Sequence, residues 1–292
     1  MKTTYHSEFH KLKSVFIKPA KNAFVSEKLL ENQWQELHYL QQPNFEASIN
    51  EYVNFEEELQ NKGVKIHRFP FDESVTIDSI YCRDASIATD FGMIICNMGK
   101  SGRLNEPKAQ MQSYINQSIP ILGEIKAPGT LEGGDVAWLN EKTLAVGHTY
   151  RTNEEGIKQL KNMLEPKNIE VIVAELPHYK GTSDVFHLMS ILSPVDKNIA
   201  VVYSPLMPIK FRNELLKRNF NLVEVPDDEF ESMGCNVLAI APRECLMVQG
   251  NPKTKKALEE AGCKVTTYHG ENISVYGGGG PTCLTRPYLR EL

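Results

Sequence analysis

Gly277-Gly278-Gly279-Gly280-Pro281-Thr282-Cys283 stands nine residues before the end of the chain. Glycine gives up the most backbone freedom on folding, so four in succession need a reason. Such a run allows a close backbone approach, to a ligand or in a tight turn, and near a terminus it equally suits a flexible tail. The next residues, Leu284-Thr285-Arg286-Pro287-Tyr288, are not tail-like. Cys283 is therefore a candidate nucleophile, and a cysteine nucleophile needs a base or cation nearby to hold its thiolate.

Working outward, three more segments carry chemistry. His187 lies within Ser183-Asp184-Val185-Phe186-His187-Leu188-Met189-Ser190-Ile191-Leu192. A histidine in an apolar run is either a hydrogen-bonded core residue or a proton carrier. Gly129-Thr130-Leu131-Glu132-Gly133-Gly134-Asp135-Val136 puts two carboxylates around a Gly-Gly pair at the start of a strand; locally this reads as a turn in which Asp135 caps nearby amides. Ile80-Tyr81-Cys82-Arg83-Asp84-Ala85-Ser86 brings charge into a strand, where Arg83 and Asp84 face opposite ways and read locally as solvated edge charges.

The remaining sequence sets bounds. The chain has 292 residues, 41% hydrophobic and 24% charged, with a net charge of -5. That balance argues against a protein that coats nucleic acid or an anionic membrane. The N-terminal segment has no apolar core of the secretory kind, and the longest apolar stretch, near Ile199 to Ile209, holds two prolines and is too short to span a bilayer. A cytoplasmic location is expected. None of the six cysteines forms a C-x-x-C pair, so free, mostly buried thiols are expected. Of the histidines, His6, His10 and His38 read as exposed.

Length alone suggests about two domains. The pattern suggests otherwise. Strand-like runs (Val15 to Ile17, Val64 to Phe69, Ser86 to Asn97, Val136 to Leu139, Thr143 to Val146, Glu170 to Ala174, Ile199 to Tyr203, Asn221 to Val225, Val237 to Ala241, Cys245 to Val248, Lys264 to Tyr268) alternate with amphipathic helices. The helices are expected at Asn50 to Lys62, Glu106 to Gln117, Asn153 to Leu164, Pro208 to Arg218 and Pro252 to Ala261. The alternation recurs about five times, about 58 residues per unit, which is an α/β pattern with no linker.

The four segments, in this order, resemble the guanidino-group-modifying enzymes: dimethylarginine dimethylaminohydrolase, arginine deiminase and the amidinotransferases, with the dimethylargininase branch most similar. The resemblance covers nearly the whole chain. It implies a five-bladed α/β propeller (the pentein fold), one catalytic domain over residues 1–292, with the active site in the central channel. It implies Cys283 as nucleophile, His187 as general acid/base and Glu132 as the acid that orients the histidine. Asp84 and Asp78 match substrate-binding aspartates, and Arg103 and Arg151 match arginines that bind the substrate's α-carboxylate. The implied substrate is a small guanidino amino acid, with no metal or organic cofactor; a homodimer follows from family habit. Two positions depart from the pattern. Arg83 stands where dimethylargininases place a glutamate, and Met189 where deiminases and amidinotransferases place an aspartate. One guanidinium-gripping carboxylate is thus missing, which leaves arginine, a methylated arginine and a less charged ureido compound all open, along with deiminase, amidinotransferase and non-enzymatic binding readings of the same fold. Most of the chain separates Asp84 from Cys283, so one shared site needs the chain wrapped around it.

Overall fold

The computed structural model describes residues 2–184 and 186–292. Its architecture is one pattern used five times. An antiparallel strand pair is followed by a helix, and a third strand returns parallel to the second. The second unit shows the rule: Ser86–Thr89 pairs antiparallel with Gly92–Ile95, helix Glu106–Asn116 follows, and Ile121–Glu124 returns in parallel. The third repeats it with Val136–Asn140, Thr143–His148, helix Glu154–Leu164 and Glu170–Glu175. The fourth uses Leu192–Asp196, Ile199–Val202, helix Ile209–Lys217 and Asn221–Glu224. The fifth uses Leu238–Ala241, Glu244–Val248, helix Pro252–Glu260 and Lys264–Tyr268.

The first unit is completed by the other end of the chain. Lys11–Ile17, helix Phe45–Asn61 and Lys65–Arg68 lack a leading strand of their own. Thr285–Glu291 supplies it, pairing antiparallel with Lys11–Ile17, and Thr3–Thr4 adds to its outer edge. The leading strands of neighbouring units touch around a ring: Thr285–Glu291 meets Ser86–Thr89, Val136–Asn140 meets Leu192–Asp196, and that strand meets Leu238–Ala241, which returns to Lys11–Ile17. Between the second and third units, Trp138 Nε1 donates to the Ala88 carbonyl at 3.2 Å. The strands buried on both faces are rich in Val, Ile, Leu and Ala, as a doubly covered sheet requires.

The helices form where their periodicity predicts. Tyr52, Phe55 and Leu59 are buried on one face of Phe45–Asn61. That helix starts five residues before the expected Asn50, because the Asn44 side chain caps it by accepting from Ala47 N. Asn153 caps the next predicted helix through Gly156 N. Ser86 to Asn97 proves to be a hairpin rather than one strand, turning at Asp90-Phe91 into Gly92 at φ +119°. The strands at Ile121–Glu124, Leu192–Asp196 and Thr285–Glu291 were not anticipated; Pro194 and Pro287 disguise two of them. His6, expected to be exposed, is buried and stacked on Trp138, with ring centroids 3.9 Å apart. No helix among the described residues is long and apolar enough to cross a membrane.

Candidate active site

In each unit the segment that leads into the first strand delivers one side chain toward the ring's axis. Asp84 precedes Ser86–Thr89, Glu132 precedes Val136–Asn140, and His187 precedes Leu192–Asp196. Cys283 precedes Thr285–Glu291. Residues from sequence-distant positions thus converge because the units are equivalent.

Asp84, His187 and Cys283 line a common cavity of about 300 Å³, together with Asp78, Lys100 and Arg103. His187 is buried, and its Nε2 lies 2.8 Å from Glu132 Oε2. Its Nδ1 has no hydrogen-bond partner among the described residues and lies 4.0 Å from Asp84 Oδ1. The other oxygen of Glu132 accepts from the Gly99 and Lys100 amides, both at 3.0 Å, with Arg151 Nη1 at 3.8 Å. Burial opposes ionisation of Glu132, but the His187 hydrogen bond and charge, with Arg103 and Arg151, hold its carboxyl down at about 2. For His187, burial alone would lower the imidazole; Asp135, Asp84 and Glu132 outweigh it and raise it to about 9. The imidazolium is therefore the resting form at neutral pH. The Cys283 thiol is pushed up by burial and by the Asp84 charge, against hydrogen bonds from Asn236 and Thr282.

Glycine is required where the backbone presses on these groups. A Cβ on Gly134 would fall 2.4 Å from His187 Nδ1 and 2.7 Å from Asp84 Oδ1. A Cβ on Gly279 would fall 2.4 Å from the Tyr81 ring. The four-glycine run is thus packed backbone against Tyr81 rather than a tail.

Asp84 Oδ2 accepts from Arg103 Nη1 at 2.5 Å, while Oδ1 has no protein partner among the described residues. Arg103 also grips Glu106 with two bonds of 2.8 Å and the Tyr81 carbonyl. It lies at the site, but its donors are engaged by the protein, so it is placed to hold Asp84 rather than as an open carboxylate receptor. Arg151 is buried beside Glu132 and donates to the Ser183 carbonyl at 3.2 Å. Asp78 Oδ2 accepts from Lys100 Nζ at 2.6 Å. Arg83 is the correction to the edge-charge reading: it is fully buried, turned away from Asp84, and bonded to Glu8 Oε1 at 2.6 Å. Asp135 does not cap its own turn; it accepts from Leu188 N at 3.0 Å and Thr149 Oγ1 at 2.7 Å, fixing the backbone after His187.

Asp84, Glu132 and His187 bring ligand atoms within 4.8 Å of one another, the spacing of a metal site. All but Asp84 Oδ1 and His187 Nδ1 are already committed to protein partners, so the trio behaves as an ion-pair network. Asn236 escaped the sequence reading. Its Nδ2 donates to Cys283 Sγ at 3.2 Å, and its Oδ1 accepts from Thr282 N and Oγ1. The signal that could have found it is the repeat itself: Asn236, Asp84 and Cys283 each stand two residues before a leading strand.

A family model described as N,N dimethylarginine dimethylhydrolase, eukaryotic, matches residues 20–290. The chain belongs to this family. Among its relatives, the N(G),N(G)-dimethylarginine dimethylaminohydrolase of Pseudomonas aeruginosa is 26% identical over 228 residues, covering 78% of this chain and 83% of that one. An arginine deiminase of Listeria welshimeri is 28% identical over 263 residues, covering 77% of this chain but only 64% of its own length. Among solved structures, the Pseudomonas dimethylaminohydrolase in complex with citrulline superposes with a TM-score of 0.77 at 21% identity, over 95% of this chain and all of that one. The amidinotransferase SxtG of Microseira wollei gives 0.77 at 15% identity, over 98% and 97%. The shared fold is the five-bladed α/β propeller that the family resemblance implied.

Proposed function

We propose that the protein is a hydrolase that attacks the guanidino carbon of arginine or an N-methylated arginine and releases citrulline and an amine. The observation that carries this reading is the convergence of Cys283, the free Nδ1 of His187 and the unpartnered Oδ1 of Asp84 on one cavity. In this reading Asp84 Oδ1 accepts from the guanidinium and turns its plane toward Cys283; such charge-assisted bonds are the strong ones. The bound cation also offsets the Asp84 charge that raises the thiol, so substrate itself promotes the thiolate. Sγ bonds to the carbon, His187 Nδ1 gives its proton to the departing nitrogen, and the C–N bond breaks. The thiouronium on Cys283 is then opened by water, whose proton returns to Nδ1 as the C–S bond breaks. Glu132 holds the imidazole in place, as an acid does in a protease triad. Asp78 and Lys100 line the same cavity, Arg103 holds Asp84 in place, and Arg151, which lines an adjoining pocket with Lys100 and Ser183, is the arginine left to offer positive charge to the amino-acid end.

Residues 1–292 act as one catalytic domain in this reading, supported by the closing strand Thr285–Glu291. A cytoplasmic location is supported by six free thiols, five of them buried.

One observation favours a second reading. At the Asp84 position the guanidinium finds one carboxylate oxygen rather than two carboxylates, because Arg103 takes the other oxygen of Asp84, Arg83 points away and Met189 is apolar, while Asp78 is paired with Lys100 through Oδ2. A neutral ureido group asks for less negative charge, so hydrolysis of citrulline is the alternative. Mass spectrometry of products from arginine, mono- and dimethylarginine and citrulline decides between them. Citrulline with ammonia or a methylamine supports the first reading, and ornithine from citrulline supports the second. Turnover of none of these by the wild type, with acceptor amines also supplied to test amidino transfer, would remove both.

A further inference from the structure

The axis of the ring carries a second cluster that the reaction does not use. Arg83, Arg286 and Arg290 are all at least nine-tenths buried, at 0%, 4% and 1% exposure. Each reaches a different leading strand: Arg83 Nη2 donates to the Val136 carbonyl at 3.3 Å, Arg286 Nη1 to Ser86 at 2.7 Å, and Arg290 Nη1 to Ala239 at 2.8 Å. Arg290 also donates to the His10 carbonyl. The three guanidinium groups are near enough to repel one another: the Arg83 charge acts on both Arg286 and Arg290, and the Arg286 charge on Arg290. Among the described residues the one carboxylate bonded to any of them is Glu8, which takes Arg83 Nη2 at 2.6 Å and the Trp138 amide at 3.4 Å.

Three buried cations beside one buried anion leave a formal excess of two positive charges. Five nitrogens of the cluster, Nε and Nη1 of Arg83, Nε of Arg286, and Nε and Nη2 of Arg290, have no partner among the described residues. Buried charges are ordinarily paired, and an orphaned buried donor is the mark of a missing water or ion. Water supplies an acceptor but no charge. From these orphaned donors and this charge excess we infer that the ring centre binds a small inorganic anion between Arg83, Arg286 and Arg290. Guanidinium groups are weakly hydrated and present planar N–H forks, which suits either a halide or a small oxyanion. Burial and mutual repulsion lower Arg286 to about 10 and Arg290 to about 9, with Glu8 opposing, so both stay charged at neutral pH and depend on a counter-charge. Arg83 completes the site. A glutamate at its position, as in the dimethylargininase pattern, would give two carboxylates against two arginines and no excess.

The purified full chain, exchanged into potassium gluconate, is titrated at constant ionic strength with potassium chloride, bromide, sulfate or phosphate while its melting temperature is followed. A rise that grows with the logarithm of anion concentration, about 3 °C at tenfold excess over Kd, is expected for the anion that fits. The bromide and sulfate arms tell a halide site from an oxyanion site. Arg83→Glu should fold and lose the anion dependence. As a measurement that needs no variant, a wild-type crystal soaked in bromide or sulfate should show the anion between the three guanidinium groups. Melting temperatures that depend on ionic strength alone, with ordered water and no anion at that position, would overturn the inference.

Discussion

Arg83 and Asp84 are neighbours in sequence and belong to opposite worlds. On the Asp84 side every cation has a carboxylate: Arg103 meets Asp84 and Glu106, Lys100 meets Asp78, and His187 and Arg151 meet Glu132. On the Arg83 side Arg83 alone is paired, with Glu8, and Arg286 and Arg290 have no carboxylate partner among the described residues. The first arrangement is preorganised, its charges fixed before any ligand arrives, with Asp84 Oδ1 and His187 Nδ1 left without hydrogen-bond partners among the described residues. The second is incomplete. The contrast shows how a ring of repeated units places function: its axis gathers side chains, and local pairing decides whether they do chemistry or ask for a counter-ion.

The strongest way to break this comparison is at the reacting atoms. Cys283→Ser should lower turnover on the order of 10⁵-fold, and His187→Ala by about 10²–10⁴-fold, with melting temperature nearly unchanged in the serine variant. Steady-state assay of citrulline or ornithine release checks this. Turnover within tenfold of wild type in either would mean that the paired side is not the reacting side.

Next comes the partnership itself. Asp84→Asn removes the carboxylate from a buried pair and leaves Arg103 with Glu106 alone. Breaking a buried pair from one side costs about 3–5 kcal/mol. Both stability and kcat/KM should fall, the latter about 10²-fold with a raised KM, as measured by denaturant unfolding and initial rates.

The pH profile sharpens the comparison further. Activity needs a thiolate on Cys283, whose thiol is raised, and an imidazolium on His187, which persists to about 9. kcat/KM should rise with pH through about 9, peak between that value and the raised thiol, and then fall. Glu132→Gln removes the charge beside Nε2, so His187 should lose its proton at lower pH and the maximum should shift to lower pH and shrink. The same pair shapes stability. His187 is raised above its unfolded value, so its contribution is complete below about pH 6.5 and is lost toward pH 9. Glu132 is lowered, so its contribution is complete above about pH 4.5 and is lost toward pH 2. Unfolding free energy measured across pH checks both limbs.

How much of this the sequence carried varies by residue. The helices were legible because Tyr52, Phe55 and Leu59, and caps such as Asn153, write a 3.6-residue period into the chain. The four charged and nucleophilic positions were legible as a set. The leading strands of the first and fourth units were not, because Pro287 and Pro194 read as strand breakers and the partner of Thr285–Glu291 lies at the other end of the chain. Arg83 was misread because a buried arginine looks like a surface one until its distant partner Glu8 is known. Long-range pairing leaves no local trace.

The smallest effect is expected at Asn236, the fifth unit's equivalent of Asp84 and Cys283. Its amide donates to Sγ while its oxygen takes Thr282, so it clamps the cysteine's orientation and favours the thiolate. One such bond is worth about 1 kcal/mol, which corresponds to about fivefold in thiolate population. Asn236→Ala should therefore raise the thiol's apparent pKa by less than about one unit and lower kcat/KM about five- to tenfold, with KM little changed. The pH dependence of Cys283 alkylation by iodoacetamide reads the thiol directly, and Asn236→Gln, which keeps the amide, should recover part of the loss. An unshifted alkylation profile in the alanine variant would show that Asn236 holds backbone and not charge, and that the fifth unit contributes packing to the axis rather than chemistry.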